Sequence, residues 1–254
     1  MIKLKTKEQI KIIREGGQIL AEVLEILKSE VKPGITTNYL ENLARKSLKE
    51  RGAEGSFLNY HPTFLAKPYP AVLCTCVNEE IVHSIPSERV LKEGDILSLD
   101  FGVKYKGLMT DAAITVSVGK ISPQAEKLIK VTKESLELAM KEVVIGNRLG
   151  DLGFIIQNCI ESHGFKVVDG LCGHGVGIDV HEEPNILNSG KRGTGLKLVE
   201  GMVIAIEPMA AISSIRIKQA KDGFGYQTLD GSLSAHFEHT IAVTKDGPWI
   251  LTQL

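Results

Sequence analysis

The chain has 254 residues, with 30 Lys and Arg against 31 Asp and Glu and a net charge of -1. That length fits one large domain or two small ones with a substantial core, and the near-neutral balance excludes a protein dominated by nucleic-acid or membrane electrostatics. No apolar run approaches the length of a membrane span, the N-terminus lacks the apolar stretch of a signal peptide, and Cys74, Cys76, Cys159 and Cys172 form no C-x-x-C pair, so free thiols in a reducing cytoplasm are expected.

Lys3, Lys5, Lys7 and Lys11 open the chain and read as a solvated helix face. Ile10, Ile13, Leu20, Val23, Leu24 and Leu27 follow helical spacing and predict a helix over 7–30. A second helix, 37–51, ends at Gly52, a natural terminator. Strand-rich sequence follows near 71–83, and then a strand pair, about 95–103 with 109–118. Ser122-Pro123 is a capping residue followed by a first-turn proline and opens a helix toward Val144; a fourth helix, 150–163, stops at Gly164. A strand-rich stretch at 166–169 and a second strand pair, about 202–212 with 236–244, complete the chain.

The order helix, turn, helix, strands occurs twice, and residues pair between the two passages. At an offset of 112, Leu24 meets Leu136, Gly34 meets Gly146, Leu40 meets Leu152 and Gly52 meets Gly164. At an offset of 107, Leu91, Glu93, Gly94 and Leu99 meet Leu198, Glu200, Gly201 and Ile206, and the register ends on Asp100 over Glu207. At an offset of 127, Asp111 and Ile114 meet Glu238 and Ile241. The expectation is a single catalytic domain over 1–254 with an internal pseudo-repeat, about 7–118 and 123–250, in an α+β arrangement.

Each half thus offers two strand-borne acids, Asp100 with Asp111 and Glu207 with Glu238. Acids closing apolar strands are costly unless something compensates their charge. No Lys or Arg within these strands is an obvious partner, so a shared cation is the better reading. His174, framed by glycines in Gly173-His174-Gly175-Val176-Gly177, is the first imidazole to nominate, followed by His181 in His181-Glu182-Glu183-Pro184 and His83 in Val82-His83-Ser84. Oxygen ligands with one or two imidazoles suit Mn, Fe, Co or Zn.

The ordered set Asp100, Asp111, His174, Glu207 and Glu238, together with Val-Asn-Glu-Glu-Ile-Val-His-Ser-Ile-Pro, Leu-Ser-Leu-Asp-Phe-Gly, Gly-His-Gly-Val-Gly, Ile-Glu-Pro and Glu-His-Thr-Ile, resembles the dinuclear metallopeptidases of the pita-bread fold, and among them the type I methionine aminopeptidases. The resemblance covers nearly the whole chain. It implies two pseudo-symmetric halves with antiparallel strands lining a central metal cleft and helices outside. It implies two divalent metal ions held by Asp100, Asp111, His174, Glu207 and Glu238, with Asp111 and Glu238 bridging. A metal-bridged water would attack the first peptide bond, Glu207 would manage its proton, His181 would bind the substrate backbone, and His83 would assist the departing nitrogen.

The implied substrate is a peptide or nascent polypeptide with a free N-terminal methionine and a small second residue. The implied setting is a cytoplasmic monomer, with transient ribosome contact compatible with the task and no DNA or membrane partner. Tyr60, Cys74 and Phe224 fall where the family lines its methionine pocket, with plain core packing as the competing reading. Several positions depart from the family pattern. The loop 59–70 is long, so Tyr69 could replace Tyr60. Ser84, Ile178 and Val180 stand where glycine, arginine and an aromatic residue are usual. His236 replaces a typical glutamine, either behind the ligands or as an extra one. A proline-specific peptidase of the same fold and a metal-free peptide-binding protein are the rival readings.

Overall fold

Thr6 and Gln9 start the first helix, α1 (Lys7–Glu30), with reciprocal bonds: the Gln9 amide donates to the Thr6 hydroxyl (3.2 Å) and the Thr6 amide to the Gln9 side chain (2.9 Å). Thr36 caps α2 (Thr37–Glu50), and Ser122 caps α3 (Pro123–Lys141), where Pro123 takes the first-turn position in which a missing amide hydrogen costs nothing. Asp151 closes the start of α4 (Leu149–Ser162) by accepting from the Arg148 amide at 2.8 Å. Gly52 and Gly164 follow α2 and α4 with φ of 64° and 89°, values that stop a helix without a Cβ clash. The computed structural model describes residues 2–62 and 67–254.

Between α2 and α3 lie β1 (Glu54–Gly55), β2 (Leu73–Val77), β3 (Glu80–Val82), β4 (Ile96–Tyr105) and β5 (Leu108–Ser117). After α4 come β6 (Lys166–Val167), β7 (Cys172–Gly175), β8 (Glu182–Leu187), β9 (Val203–Ile206) and β10 (Met209–Ala211). The chain continues through β11 (Ile217–Gln219), β12 (Tyr226–Thr228), β13 (Ser234–His236), β14 (Glu238–Thr244) and β15 (Gly247–Ile250). The main sheet runs β1-β4-β5-β14-β9-β7-β8, with β2 also on β4 and β15 also on β14. Two three-stranded sheets, β13-β10-β6 and β11-β12-β3, stand beside it.

Alternation along the strands gives the main sheet two unlike faces. One carries Leu97, Leu99 and Phe101 under Leu20, Leu24, Leu27, Leu40 and Leu48 of α1 and α2. It also carries Ile204, Ile206 and Ile241 under Leu128, Leu136, Leu152 and Ile156 of α3 and α4. The other face carries the acids. The two passages of the chain make the same local bonds. The Gly34 and Gly146 amides donate to the Leu91 and Leu198 carbonyls (2.8 and 3.1 Å), and the Leu91 and Leu198 amides donate to the Ile35 and Asn147 carbonyls (2.8 Å each).

Three expectations are corrected. The stretch 202–212 is not one strand. Pro208 has no amide hydrogen to give the ladder; before it β9 pairs with β14, and after it β10 turns away onto β13 and β6. The stretch 236–244 divides likewise, at Phe237, into β13 and β14. Lys5 is not on a solvated face: its side chain is buried against Glu182. Cys172 is half-exposed, whereas Cys74, Cys76 and Cys159 are buried; all four are free. Among the described residues, no helix is long and apolar enough to cross a membrane.

The close seat of α1 on the C-terminal segment depends on glycine. A Cβ at Gly17 would lie 2.0 Å from the Leu251 carbonyl oxygen, a backbone atom that cannot rotate away. Gly17→Ala is therefore expected to cost about 2–3 kcal/mol by overpacking despite alanine's better helix propensity. Urea unfolding checks this, and an unchanged or raised midpoint would show that the helix can shift freely.

Candidate metal centre

Strand register alone brings the acids onto one face. The hairpin β4–β5 turns at Lys106-Gly107, both at positive φ (47° and 82°), a two-residue connection that suits the right-handed strand twist. This turn fixes the pairs Asp100↔Ala113 and Gly102↔Asp111, so the aspartates 11 positions apart are diagonal neighbours pointing the same way. Across the next seam Glu238 pairs with Ala113, which places Asp100, Ala113 and Glu238 in one row with a methyl group as spacer. Glu207 comes one position past the last β9–β14 pair, His239↔Ile206, and so reaches the end of that row. His174 pairs with Ala205, two residues before Glu207 and on the same face.

The seam between β5 and β14 is only two pairs long. Threonine side chains extend it where the strands part. Thr240 Oγ1 accepts from the Asp111 amide (2.9 Å) and donates to the Asp111 carbonyl (2.7 Å). Thr115 Oγ1 does the same for the His236 amide (2.9 Å) and carbonyl (2.7 Å). The backbone beneath the acids is thereby held by buried hydroxyls.

His174 Nδ1 bonds to the Gly175 carbonyl at 2.9 Å, which makes Nδ1 the donor and turns the Nε2 lone pair toward the acids. Nε2 lies 3.3 Å from Glu207 Oε1, 3.9 Å from Glu238 Oε1 and 4.0 Å from Asp111 Oδ2. Ligand atoms of Asp111, His174 and Glu238 lie within 4.8 Å of one another. Asp100 Oδ1, Asp111 Oδ1 and Glu238 Oε1 are buried without a hydrogen-bond partner among the described residues. Lys104, further along the strand of Asp100, is spent on Glu54 at the surface. A lone pair facing several buried carboxylates, with acceptor atoms left over, is a donor set that fits divalent cations.

The protonation balance of the cation-free site agrees. Burial pushes Asp100 up to about 7, with Glu207 adding to the effect and His236 opposing it. Burial likewise pushes Glu207 up to about 7. Asp111 and Glu238 are raised well above the ordinary carboxylate range, by burial first and then by the neighbouring acids. Burial, with help from His236 and His174, drives His83 down to about 4, so it is neutral at working pH.

Tyr60, Cys74, His83, Asp100, Asp111, His174, His181, Glu207, Phe224 and Glu238, all nominated from the sequence, line the same cleft. Cys74 sits there because β2 pairs it with Asp100. Tyr60 and Tyr69 are both present, in different roles. The Tyr60 hydroxyl bonds His181 Nδ1 at 2.8 Å, while Tyr69 lies deeper, edge-on to Phe224 with ring centroids 5.5 Å apart. The middle of the long 59–70 loop, residues 63–66, lies outside the described residues. His83 is held at φ 61°, a strained conformation for a non-glycine residue, with its ring 6.1 Å from that of Tyr226. His181 packs edge-on against His174, centroids 4.3 Å apart.

Phe57, Pro62 and Tyr226 also line the cleft and were not nominated. An isolated aromatic residue carries no sequence signal of its side of a pocket. His236 Nε2 is 3.5 Å from Glu207 Oε2, and neither ring nitrogen has a hydrogen-bond partner among the described residues. It lies behind Glu207, outside the set of residues that line the cleft.

A buried carboxylate–imidazole cluster beside an apolar pocket is the arrangement of a metal-dependent hydrolase. Residues 11–245 match metallopeptidase family M24, and the chain belongs to that family. It is 47% identical over 258 residues to the methionine aminopeptidase of Aquifex aeolicus, covering 100% of this chain and 99% of that protein. The crystal structure of methionine aminopeptidase from Thermotoga maritima superposes with a TM-score of 0.96 at 41% identity, over the full length of both chains. Within the family the chain falls among the methionine aminopeptidases, and its fold is the pita-bread fold. The Xaa-Pro dipeptidase of Bacillus anthracis, 22% identical with a TM-score of 0.79 over 99% of this chain and 62% of that one, shares the fold alone.

Proposed function

We propose that the cleft removes the N-terminal methionine from peptides and nascent proteins whose second residue is small, with two divalent ions held by Asp100, Asp111, His174, Glu207 and Glu238. The observation that carries this reading is the one-face convergence of Asp111, His174 and Glu238 beside the pocket of Tyr60, Tyr69, Cys74 and Phe224. When bound, the ions supply Lewis acidity, polarising the scissile carbonyl and acidifying the attacking water.

The protein groups do the rest. Asp111 and Glu238 flank the β5–β14 seam, and their carboxylates would help hold the ions. Glu207 takes the proton of the attacking water and passes it to the leaving amine. With Nδ1 bonded to Tyr60, His181 presents Nε2 to the substrate carbonyl. Neutral His83 faces the scissile nitrogen. The apolar pocket takes the methionine side chain and excludes water around it. The whole chain acts as one catalytic domain built from two related halves, about 7–118 and 123–250, as the paired turn bonds of the two passages suggest. The same reading makes the protein a cytoplasmic monomer that acts on nascent chains.

Chelation followed by add-back of Mn, Fe or Co, with Met-Ala-Ser, Met-Leu-Ser and Ala-Pro-Ser as substrates, tests the reading. Cleavage of Met-Ala-Ser alone, abolished by chelator and restored by metal, is expected. Cleavage of Ala-Pro-Ser instead would move the chain to proline-specific chemistry, and metal binding without turnover would leave only a peptide-binding cleft.

A further inference from the structure

The N-terminal segment enters the molecule at a point that the chemistry above does not use. The Lys5 side chain is 1% exposed and that of Glu182 2%, and Lys5 Nζ lies 2.5 Å from Glu182 Oε2. Glu182 is the residue after His181. Its other oxygen, Oε1, accepts from the Ile178 and Asp179 amides at 2.6 and 2.9 Å. The 178–182 turn is therefore wound around one carboxylate, and that carboxylate is fixed to Lys5. Lys5 is held in turn: its Nζ donates to the Lys3 carbonyl (2.8 Å) and its amide to the Gly201 carbonyl (2.8 Å). The turn is shaped to admit the lysine, because a Cβ at Gly177 would meet Lys5 Cε at 2.6 Å. On the far side of the turn, the His181 side chain meets the Tyr60 hydroxyl and the His174 ring.

We infer that Lys5 is a positioning residue for the reaction: through Glu182 it sets the turn that aims His181 into the cleft. The inference rests on the reading of His181 as the imidazole that meets the substrate carbonyl. A buried ammonium held by one carboxylate and one carbonyl cannot move without leaving unpaired groups behind, so the turn takes its place from a segment that never contacts substrate. Misplacing a catalytic group by about 1 Å is enough to cost on the order of 10²-fold in rate.

The test is a double-mutant cycle in the metal-loaded full chain, with Met-Ala-Ser turnover, KM and bound metal measured on each variant. His181→Ala is expected to lower kcat about 100-fold and Lys5→Met about 30-fold, both with metal content unchanged. In the His181→Ala background, Lys5→Met is expected to change kcat by less than about 3-fold, because the group it positions is gone. Lys5→Met/Glu182→Gln removes both charges, so it should recover thermal stability lost in Lys5→Met while kcat stays low. An equal Lys5→Met effect in both backgrounds, or recovery of kcat together with stability, would overturn the inference. A wild-type kcat in His181→Ala would overturn the assignment of His181 itself, and the inference with it.

Discussion

Asp111→Asn is expected to lower kcat for Met-Ala-Ser by at least about 10³-fold and, at the same time, to make the metal-free protein more stable. The two effects have one cause. Asp111 is buried on the row-sharing face with Asp100 and Glu238, and its Oδ1 has no protein partner. Its charge is costly to a fold that holds no cation, and the proposed function has a cation make use of it. Losing part of the Lewis-acid contribution, about 4 kcal/mol, corresponds to that drop in rate. Asparagine keeps the shape and removes the repulsion, which should add about 1–3 kcal/mol to the chelated protein at pH 8. Turnover with excess metal, and urea unfolding in chelator, measure the two halves separately. A variant that turns over normally, or that is less stable than the parent without metal, would remove Asp111 from the ligand set.

The second large effect is on stability against pH. Asp100 and Glu207 titrate near 7 in the cation-free fold, against about 4 in an unfolded chain, so between those values the folded state holds more protons. Stability then falls as pH rises toward the folded value. Buried imidazoles work in the opposite sense. His83 and His239 are depressed to about 4, and His236 is lowered, all chiefly by burial, so their contribution rises with pH up to their unfolded value of about 6.5. The two trends offset each other below about pH 6.5, and only the carboxylate term remains above it. The chelated protein should therefore lose stability between about pH 6.5 and 8, while the metal-loaded protein, whose acids have cations, should not. Calorimetric melting temperatures across that range, with and without metal, decide the matter. Parallel curves would mean that cations do not neutralise these acids.

The parts of the fold that were legible in the sequence are those with local causes. The first helix announced itself by apolar spacing, and the other three by Gly52, Ser122 and Gly164 at their ends; the Thr6 cap of the first came only with the structure. The β4–β5 hairpin was legible because both strands are long and joined by a tight turn. What was not legible depends on distant partners. Cys172-Gly-His-Gly175 has no strand signature, yet it is β7: its glycines let neighbouring backbones come close, with a Cβ at Gly173 meeting the Ala205 carbonyl oxygen at 2.3 Å. The break at Glu207-Pro208 was hidden by a continuous apolar run, although the proline marked it. Lys5 looked like its neighbours Lys3 and Lys7 because nothing local distinguishes a lysine whose partner lies 177 residues away. The acids and histidines that share the cleft were readable from their order and from the motifs around them. Their shared face is a consequence of register, which pattern alone does not set across the β5–β14 seam.

That seam also governs when the centre can exist during folding. The hairpin carrying Asp100 and Asp111 closes over a two-residue turn and can form early, whereas Thr240 clasps Asp111 from 129 positions away. Until β14 docks, Glu238 is absent from the row, and a chain folded only as far as α4 offers a cation two aspartates on a bare hairpin. The set of side chains that the proposed function asks to hold metal is therefore complete only once the last long-range closure has been made.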